Sequence, residues 1–240
     1  MNTNPKFIFD VDGTLTPSRQ KIDPKFKEWF TEFCISNDVY LVTGSDYAKT
    51  QEQLGDRLLR WPLFVFNCSG NEVWAKGELQ SKREWTPPQE LYNLLQGWLE
   101  SSKFSVRTGK HFEERTGMIN FSIVGRNASI NERKIYVDWD IANRERETIA
   151  FQINSQFEDI TATVGGETGI DIHPTGWDKS QILEHFSLKE DGPVYFFGDR
   201  TEPGGNDYPL ARKINHTKQV KNWRDTWEYL EYLQEAKRAA

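Results

Sequence analysis

Apolar runs alternate with a helical pattern in the N-terminal part of the chain. Residues 6–10, 39–43 and 63–66 are short runs dominated by apolar side chains, which is typical of strands buried on both faces of a sheet. After the first run, Asp23-Pro24 supplies a helix N-cap and a proline at the first helical position, and apolar residues follow at helical spacing. Strands that alternate with helices predict βαβ units, and hence an α/β fold with a Rossmann-like, doubly wound parallel sheet.

The pattern then changes. A hairpin is predicted over residues 72–79, and Thr86-Pro87-Pro88 interrupts the chain before a leucine-rich helix. Ile119, Phe121 and Ile123 alternate with more polar residues, and this two-residue period favours antiparallel structure with one buried and one more polar face. We therefore expect an α+β domain, built on an antiparallel sheet, to be inserted into the parallel core.

The parallel pattern returns in the C-terminal part of the chain. A helix is predicted around the apolar positions of residues 182–186, and an apolar strand over 194–197 follows it. The predicted architecture is a discontinuous catalytic core of residues 1–82 and 179–240, interrupted by a cap domain of residues 83–178.

Composition excludes several classes of protein. The 240 residues carry 36 acidic and 30 basic side chains, a net charge of −6, which argues against a nucleic-acid binder with a basic face. No apolar run is long enough to span a bilayer, so we expect no membrane partner. Cys34 and Cys68 are too few for a disulfide framework, which favours a cytoplasmic protein.

Candidate chemistry begins at Asp10-Val11-Asp12-Gly13-Thr14, where two carboxylates lie two residues apart at the end of the first strand. This arrangement suits a nucleophile and an acid or base, although the same pentapeptide also suits an Asx-type turn with two solvated acids. Thr43, Lys179, Gly198-Asp199 and Asn206-Asp207 are expected at the same edge of the sheet. Gathered carboxylates repel each other unless a cation lies among them, and hard oxygen ligands favour Mg²⁺.

These motifs resemble, in order and spacing, the four signature motifs of the haloacid dehalogenase superfamily. Further segments resemble the eukaryotic-type phosphomannomutase family, whose cap is of type IIB. These segments are Pro17-Ser18-Arg19-Gln20-Lys21-Ile22, Gly44-Ser45-Asp46, Gln51-Glu52-Gln53-Leu54-Gly55, Arg115-Thr116-Gly117-Met118-Ile119-Asn120, Gly125-Arg126, Glu132-Arg133, Gly176-Trp177-Asp178-Lys179 and the run from Phe196 to Asp207. The resemblance extends over about residues 7–207 and implies interconversion of mannose 6-phosphate and mannose 1-phosphate.

The resemblance also implies roles in the core. Asp10 is expected to attack the phosphoryl group and form an aspartyl phosphate, while Asp12 protonates the departing sugar oxygen and later deprotonates the attacking one. Asp10, the backbone carbonyl of Asp12 and Asp199 are expected to hold Mg²⁺. Thr43 and Lys179 are expected to stabilise charge on the transferring phosphoryl group, and a hexose 1,6-bisphosphate is the expected activator.

In the cap, the resemblance implies a site for the sugar's second, non-transferring phosphate. Arg115, Arg126 and Arg133 match the family's arginines there, with Arg19 contributing from the core and Asp171 meeting sugar hydroxyls. Guanidinium groups suit this role because they bind phosphate oxygens bidentately. Taken singly, each cap arginine is better explained as a solvated surface charge, and the phosphate site is favoured only because all three fall in family-matched contexts.

Two other functions stay open at this point. One is a sugar-phosphate phosphatase of the same superfamily, and the other is a catalytically inactive protein that still binds sugar phosphates. The three cap arginines favour a mutase, because a mutase must hold a hexose bisphosphate in either orientation. Gly169, assigned to the substrate site, stands where the family usually has serine, so one hydroxyl contact is missing. The resemblance further implies a homodimer through the cap; the preference for mannose or glucose phosphates is not determined by these residues.

Overall fold

The computed structural model describes residues 4–186 and 192–239. The strands are β1 (Lys6–Asp10), β2 (Asp38–Val42), β3 (Phe64–Asn67), β4 (Glu72–Ala75), β5 (Glu78–Lys82), β6 (Phe112–Arg115), β7 (Met118–Phe121), β8 (Ile160–Gly165), β9 (Gly169–Pro174), β10 (Val194–Gly198) and β11 (His216–Gln219). The α-helices are α1 (Pro24–Ser36), α2 (Tyr47–Leu54), α3 (Asp56–Leu59), α4 (Gln89–Ser101), α5 (Ile130–Asn143), α6 (Glu145–Gln156), α7 (Tyr208–Ala211) and α8 (Trp223–Ala239), and two 3₁₀ segments cover Cys68–Gly70 and Lys179–His185. Across these described residues, every helix is too short or too polar to cross a bilayer.

The chain divides into two compact units. The first, which we call the core unit, comprises Met1–Lys82, Lys179–Pro203 and Asp207–Ala240. The second, which we call the cap unit, comprises Arg83–Asp178 together with Gly204–Asn206.

The core unit is built on a sheet with the strand order β11-β10-β1-β2-β3-β4-β5. The strands from β11 to β3 are parallel, and β4 and β5 extend the sheet as an antiparallel hairpin. Alternate residues of β1 enter different apolar clusters, with Phe7 and Phe9 on one side of the sheet and Ile8 on the other. Burial on both faces explains why this strand has no polar alternation, and the mixed α/β class predicted from the sequence is confirmed.

Helix α1 shows how the sequence fixes a helix against this sheet. The Asp23 carboxylate accepts hydrogen bonds from the backbone N–H groups of Lys25 and Phe26 at 2.9 and 3.1 Å, which caps the helix start. Phe26 and Phe30 lie on its buried face, and the ring of Phe30 packs edge-on against Phe9 of β1 with centroids 5.1 Å apart. Burial of each such ring stabilises the fold by roughly 1.5–3 kcal/mol.

The cap unit is built on an antiparallel sheet with the order β6-β7-β9-β8. Its apolar residues pack with those of α4, α5 and α6. Glu113, Asn120, Asp171 and Thr163 are successive cross-strand partners, so their side chains form a polar row on one face. Asn120 lies on the more polar face of β7 and is nonetheless buried, and its amide is hydrogen-bonded within that row.

The segment around residues 182–186 is a 3₁₀ helix, Lys179–His185, whereas the sequence pattern predicts an ordinary helix. Tertiary bonds hold it at its start. The Lys179 ammonium is buried among carboxylates, and the Gln181 amide donates to the backbone oxygen of Ser69 at 2.8 Å. These long-range contacts determine its backbone conformation more than local helix propensity does.

Candidate active site

The loop after β1 brings Asp10 and Asp12 to the carboxyl end of the sheet. The backbone oxygen of Val11 accepts hydrogen bonds from the N–H groups of Leu15 and Thr16 at 2.9 and 3.0 Å, which folds the loop tightly back on itself. Gly13 has a φ of +84°, and a Cβ there would lie 2.3 Å from an Asp199 carboxylate oxygen. Glycine is therefore required for this close approach of loop and carboxylate.

Three carboxylates meet at this edge of the core unit. Asp10, Asp199 and Asp207 each offer an oxygen, and these oxygens all lie within 4.8 Å of one another. Asp10 ends β1 and Asp199 follows β10, its parallel neighbour, so the sheet itself brings the first two together. Asp207 is fully buried and reaches the group because Gly198 has no side chain; a Cβ there would lie 2.7 Å from an Asp207 carboxylate oxygen.

Lys179 lies among these carboxylates and is 1% exposed. Its Nζ lies 2.5 Å from Oδ1 of Asp10 and 2.7 Å from Oδ1 of Asp207. Burial opposes the ammonium charge, but Asp10 and Asp207 together outweigh it and raise the pKa of Lys179 above its ordinary value. Lys179 therefore stays protonated.

Burial is also the largest influence on the acids. It raises the pKa of Asp10 well above its ordinary value, against the opposing effect of Lys179, and the neighbouring charges of Asp207 and Asp199 raise it further. Burial followed by the charge of Asp207 raises the pKa of Asp199 to about 7. Both shifts mean that burial and the neighbouring carboxylates disfavour the ionised acids more than the single Lys179 ammonium favours them.

The residues present fit a divalent cation. When all three carboxylates are ionised, the one ammonium leaves two negative charges uncompensated, and carboxylate oxygens are the donors that Mg²⁺ prefers. The structure brings together Asp10 and Asp199 from the predicted ligand set and adds Asp207. The role of the Asp12 backbone carbonyl as a ligand stays a prediction.

The Asp12 carboxylate has a different set of partners. It accepts hydrogen bonds from the backbone N–H of Arg19 at 2.5 Å, Nε2 of Gln53 at 3.0 Å and Oγ of Ser45 at 3.4 Å. Thr43 lies behind this group, where its hydroxyl oxygen accepts from the Ser45 N–H at 3.1 Å. Asp12 is thus held by donors on two neighbouring loops and a helix, whereas Asp10 is held by an ammonium.

Sequence reasoning gave no role to Gln53, and it expected Asp207 at this edge of the sheet without naming it as a ligand. Gln53 is buried on α2, and its amide also donates to the hydroxyl oxygen of Thr16 at 3.2 Å, so it ties the loop of Asp12 to the helix. Its signal in the sequence is its position three residues after the buried Thr50, which places both side chains on the same face of α2. For Asp207 the signal is its place in the run that begins at Phe196.

In the cap unit, a carboxylate joins two of the predicted arginines. Oε1 of Glu113 lies 3.0 Å from Nη2 of Arg115, and Oε2 of Glu113 pairs with Nε of Arg126. Burial opposes the charge of Glu113, but Arg115 and Arg126 outweigh it and lower the pKa of this carboxyl. Nη1 of Arg126 donates to Asn120 at 2.9 Å, and the Asn120 amide donates to Asp171 at 2.7 Å. Arg115, Arg126 and Asp171 therefore belong to one polar network.

Arg133 lies in the first turn of α5 and has a separate partner. Its Nη2 lies 2.5 Å from Oε2 of Glu167, at the tip of the β8–β9 hairpin. Gly169 opens β9 beside this tip, and a Cβ there would lie 2.5 Å from Nδ2 of Asn120. The side chain of Asn120 occupies the space that a serine would need.

Comparison with known proteins decides the family. The sequence matches the profile of eukaryotic phosphomannomutase over residues 26–235. A probable phosphomannomutase of Caenorhabditis elegans is 34% identical over 239 residues, which is 93% of this chain and 93% of that protein. This chain belongs to the eukaryotic phosphomannomutase family.

Solved structures show the fold of this family member. An IMP-nucleotidase of Plasmodium falciparum superposes with a TM-score of 0.67 at 17% identity, covering 97% of this chain and 68% of that chain. A haloacid dehalogenase-like hydrolase of Bacteroides thetaiotaomicron superposes with a TM-score of 0.55 at 13% identity, covering 96% and 99%. The expected phosphomannomutase family, haloacid dehalogenase fold and enzyme class are confirmed; the roles of individual residues stay predictions.

Proposed function

We propose that this chain is a Mg²⁺-dependent phosphomannomutase. It interconverts mannose 6-phosphate and mannose 1-phosphate through an aspartyl phosphate and a hexose 1,6-bisphosphate, which also serves as the activator. The observation that carries the proposal, within the assigned family, is the presence of two separate sets of phosphate-handling groups. One is the acid and lysine cluster of the core unit, and the other comprises the arginines of the cap unit.

Asp10 is the proposed nucleophile. Its carboxylate attacks the phosphorus of the bisphosphate, the bond from phosphorus to the sugar oxygen breaks, and Asp12 gives its proton to that departing oxygen. In the second half-reaction, the sugar monophosphate is bound in the opposite orientation, and its free hydroxyl attacks the phosphorus of the aspartyl phosphate. Asp12 takes the proton of that hydroxyl, and the bond from phosphorus to Asp10 breaks. The donors that hold Asp12, the Gln53 amide among them, support its position at a fixed distance from Asp10 along the loop.

Charge stabilisation is assigned to the groups around Asp10. Lys179 would neutralise negative charge on the transferring phosphoryl group, and the hydroxyl of Thr43 would hydrogen-bond to it. Asp10 and Asp199 would hold Mg²⁺ with the Asp12 carbonyl, and Asp207 is an additional candidate. When bound, the cation supplies electrostatic stabilisation of the phosphoryl oxygens and lowers the repulsion among the acids.

The cap residues are assigned to the phosphate that is not transferred. Arg115, Arg126 and Arg133 would bind it, Arg19 would contribute from the core unit, and Asp171 would accept hydrogen bonds from sugar hydroxyls. Asn120 accepts a hydrogen bond from Arg126 and donates one to Asp171. These two bonds support a joint role, because they link the phosphate-binding and hydroxyl-binding groups. A phosphatase needs no such second anion site.

A sugar-phosphate phosphatase is the second candidate. It is favoured by Gly169, which offers no hydroxyl to the second phosphate, and by the pairing of Arg133 with an acid. Both features weaken the hold on the sugar phosphate, and a sugar monophosphate that leaves before it accepts the phosphoryl group leaves the aspartyl phosphate of Asp10 to be hydrolysed by water.

One assay separates the two functions. Mannose 1-phosphate is incubated with the Mg²⁺-loaded protein, with and without added glucose 1,6-bisphosphate, and all sugar and phosphate products are quantified. The proposal predicts mannose 6-phosphate, formed faster when the bisphosphate is present. Free phosphate without any isomerised sugar phosphate would identify the phosphatase instead. The same assay with glucose 1-phosphate measures the sugar preference.

The proposal extends to a homodimer formed through the cap unit. Ile130, Ile141 and Phe151 are large apolar side chains exposed on α5 and α6, and they are the candidate contact residues of such a dimer. Sedimentation should give twice the chain mass, and Phe151→Glu should weaken the association. A monomer at micromolar concentration would exclude the dimer. Both cysteines are buried and neither forms a disulfide, which supports the cytoplasm as the compartment.

A further inference from the structure

The carboxylates that pair with the cap arginines differ in how firmly they are held. Glu113 lies within β6, where both of its oxygens face guanidinium groups, and its side chain is 31% exposed. Glu167 lies at a hairpin tip, has one recorded partner among the described residues, and is 48% exposed. Glu113 is therefore part of the sheet's polar network, whereas Glu167 is more exposed and pairs only with Arg133 among the described residues.

The guanidinium of Arg133 has more donor capacity for an anion than its single ion pair uses. Its side chain is only 11% exposed, and its Nε is buried without a hydrogen-bond partner among the described residues. A buried donor without a partner costs stability unless a ligand satisfies it. Glu167 contacts Nη2 and leaves Nε unsatisfied, so a phosphate with several acceptor oxygens could satisfy more of the guanidinium than this carboxylate does.

We propose that Glu167 is an internal competitor for the anion that Arg133 binds, and that it sets the affinity of this chain for sugar phosphates. The proposal rests on the function assigned to the cap arginines above. A phosphate approaching Arg133 must displace the Glu167 carboxylate or bind beside its negative charge. Either way the carboxylate weakens binding, and it does so only through Arg133. Neutral sugars, which need no guanidinium, are not affected.

Glu113 has the opposite role. Its two oxygens fix the guanidinium groups of Arg115 and Arg126 from one side, so it orients them without occupying all their donors. In Glu113→Gln, one carboxylate oxygen becomes an amide N–H₂ that faces a guanidinium donor, and one arginine must turn away. Loss of negative charge therefore tightens binding at Glu167 and weakens it at Glu113.

The test measures binding of mannose 1-phosphate by calorimetry in Mg²⁺, in an Asp10→Asn background that prevents turnover. Adding Glu167→Gln should tighten binding roughly two- to fivefold, the range expected for an ion pair whose carboxylate is about half exposed. Adding Glu113→Gln should weaken it. Glu158→Gln is the matched control, because Glu158 is an exposed acid of the same unit, and it should leave the affinity unchanged.

A double-mutant cycle assigns the effect to Arg133. In an Arg133→Ala background, Glu167→Gln should no longer tighten binding, since there is no guanidinium for which to compete. Two outcomes would overturn the proposal, because each would mean that Glu167 acts only through its general negative charge. One is that Glu167→Gln still tightens binding without Arg133. The other is that the glutamine variants at 113, 158 and 167 all tighten binding equally. An unchanged affinity in Glu167→Gln would overturn it as well.

The outcome is separable from the proposed function. If the wild-type protein fails to isomerise mannose 1-phosphate, the mutase proposal fails, but the binding cycle still reports whether Glu167 competes at Arg133. If the protein isomerises the sugar and Glu167→Gln changes the affinity equally with and without Arg133, only the proposed role of Glu167 is lost.

Discussion

Lys179→Met tests the electrostatics of the acid cluster most sharply. The substitution keeps an unbranched side chain of similar length but removes the ammonium that lies 2.5 Å from Asp10 and 2.7 Å from Asp207. Lys179 is 1% exposed, so water cannot take its place without a rearrangement. Removing one partner from a buried ion pair costs about 3–5 kcal/mol, because the remaining charge is left uncompensated in a poorly solvated site.

The free energy of unfolding that Lys179→Met loses must depend on pH. The pKa of Asp199 is raised to about 7, and that of Asp10 is also raised, so below these values the folded protein binds more protons than the unfolded chain. Such groups favour the folded state as pH falls toward their ordinary values, because protonation removes the buried charge. The loss caused by Lys179→Met should therefore be large at pH 8 and smaller at pH 5.

The assay is urea unfolding followed by tryptophan fluorescence, in EDTA, at both pH values. Lys6→Met is the matched control, because Lys6 is also a buried lysine, at the other end of β1, and its Nζ lies 3.8 Å from a carboxylate oxygen of Asp38. We expect the control to lose less stability than Lys179→Met, because its ion-pair partner Asp38 is partly exposed and 3.8 Å away, and to show no comparable trend between pH 8 and pH 5. A Lys179→Met protein as stable as wild type at pH 8, or one whose loss is the same at pH 5, would refute the reasoning.

Three further variants test other parts of the site. Arg126→Ala should slow isomerisation of mannose 1-phosphate by roughly 10- to 100-fold, the value of a charge-assisted hydrogen bond or two, and leave hydrolysis of p-nitrophenyl phosphate nearly unchanged; equal losses would contradict its role. Gly13→Ala should lower the melting temperature more than Gly166→Ala, because both have positive φ but only the Gly13 Cβ meets Asp199; equal losses would mean that the clash is relieved. Mg²⁺ should raise the melting temperature of the wild type and not of Asp199→Asn, and an unchanged shift would remove Asp199 from the ligand set.

The sequence predicts some elements closely and misses others for a physical reason. Strand β1 coincides with the predicted run because a strand buried on both faces leaves a continuous apolar signal. Strands β6 and β11 carry Phe-Glu-Glu-Arg and His-Thr-Lys-Gln, which show no apolar period, and they were not predicted. Their backbone pairing with β7 and β10 stabilises them, so their own residues carry no pattern that predicts a strand.

The same division holds for the site. Asp10, Asp199 and Lys179 follow from motifs at strand ends or a helix start, because the topology of a parallel sheet brings such positions together. Asp207 reaches the cluster through a loop that its own N–H closes on the backbone oxygen of Arg200 at 3.1 Å, a contact that leaves no periodic signal. The partners of the cap arginines, Glu113 and Glu167, likewise depend on cross-strand and hairpin geometry.

The fate of the phosphoryl group on Asp10 tests the central claim most directly. The Mg²⁺-loaded protein is incubated with glucose 1,6-bisphosphate, the modified residue is identified by mass spectrometry, and mannose 1-phosphate is then added. The account predicts that phosphate is attached at Asp10, that Asp10→Asn carries none, and that the added sugar takes it up as mannose 1,6-bisphosphate. Release of the phosphate only to water, or its attachment at another residue, would contradict the account.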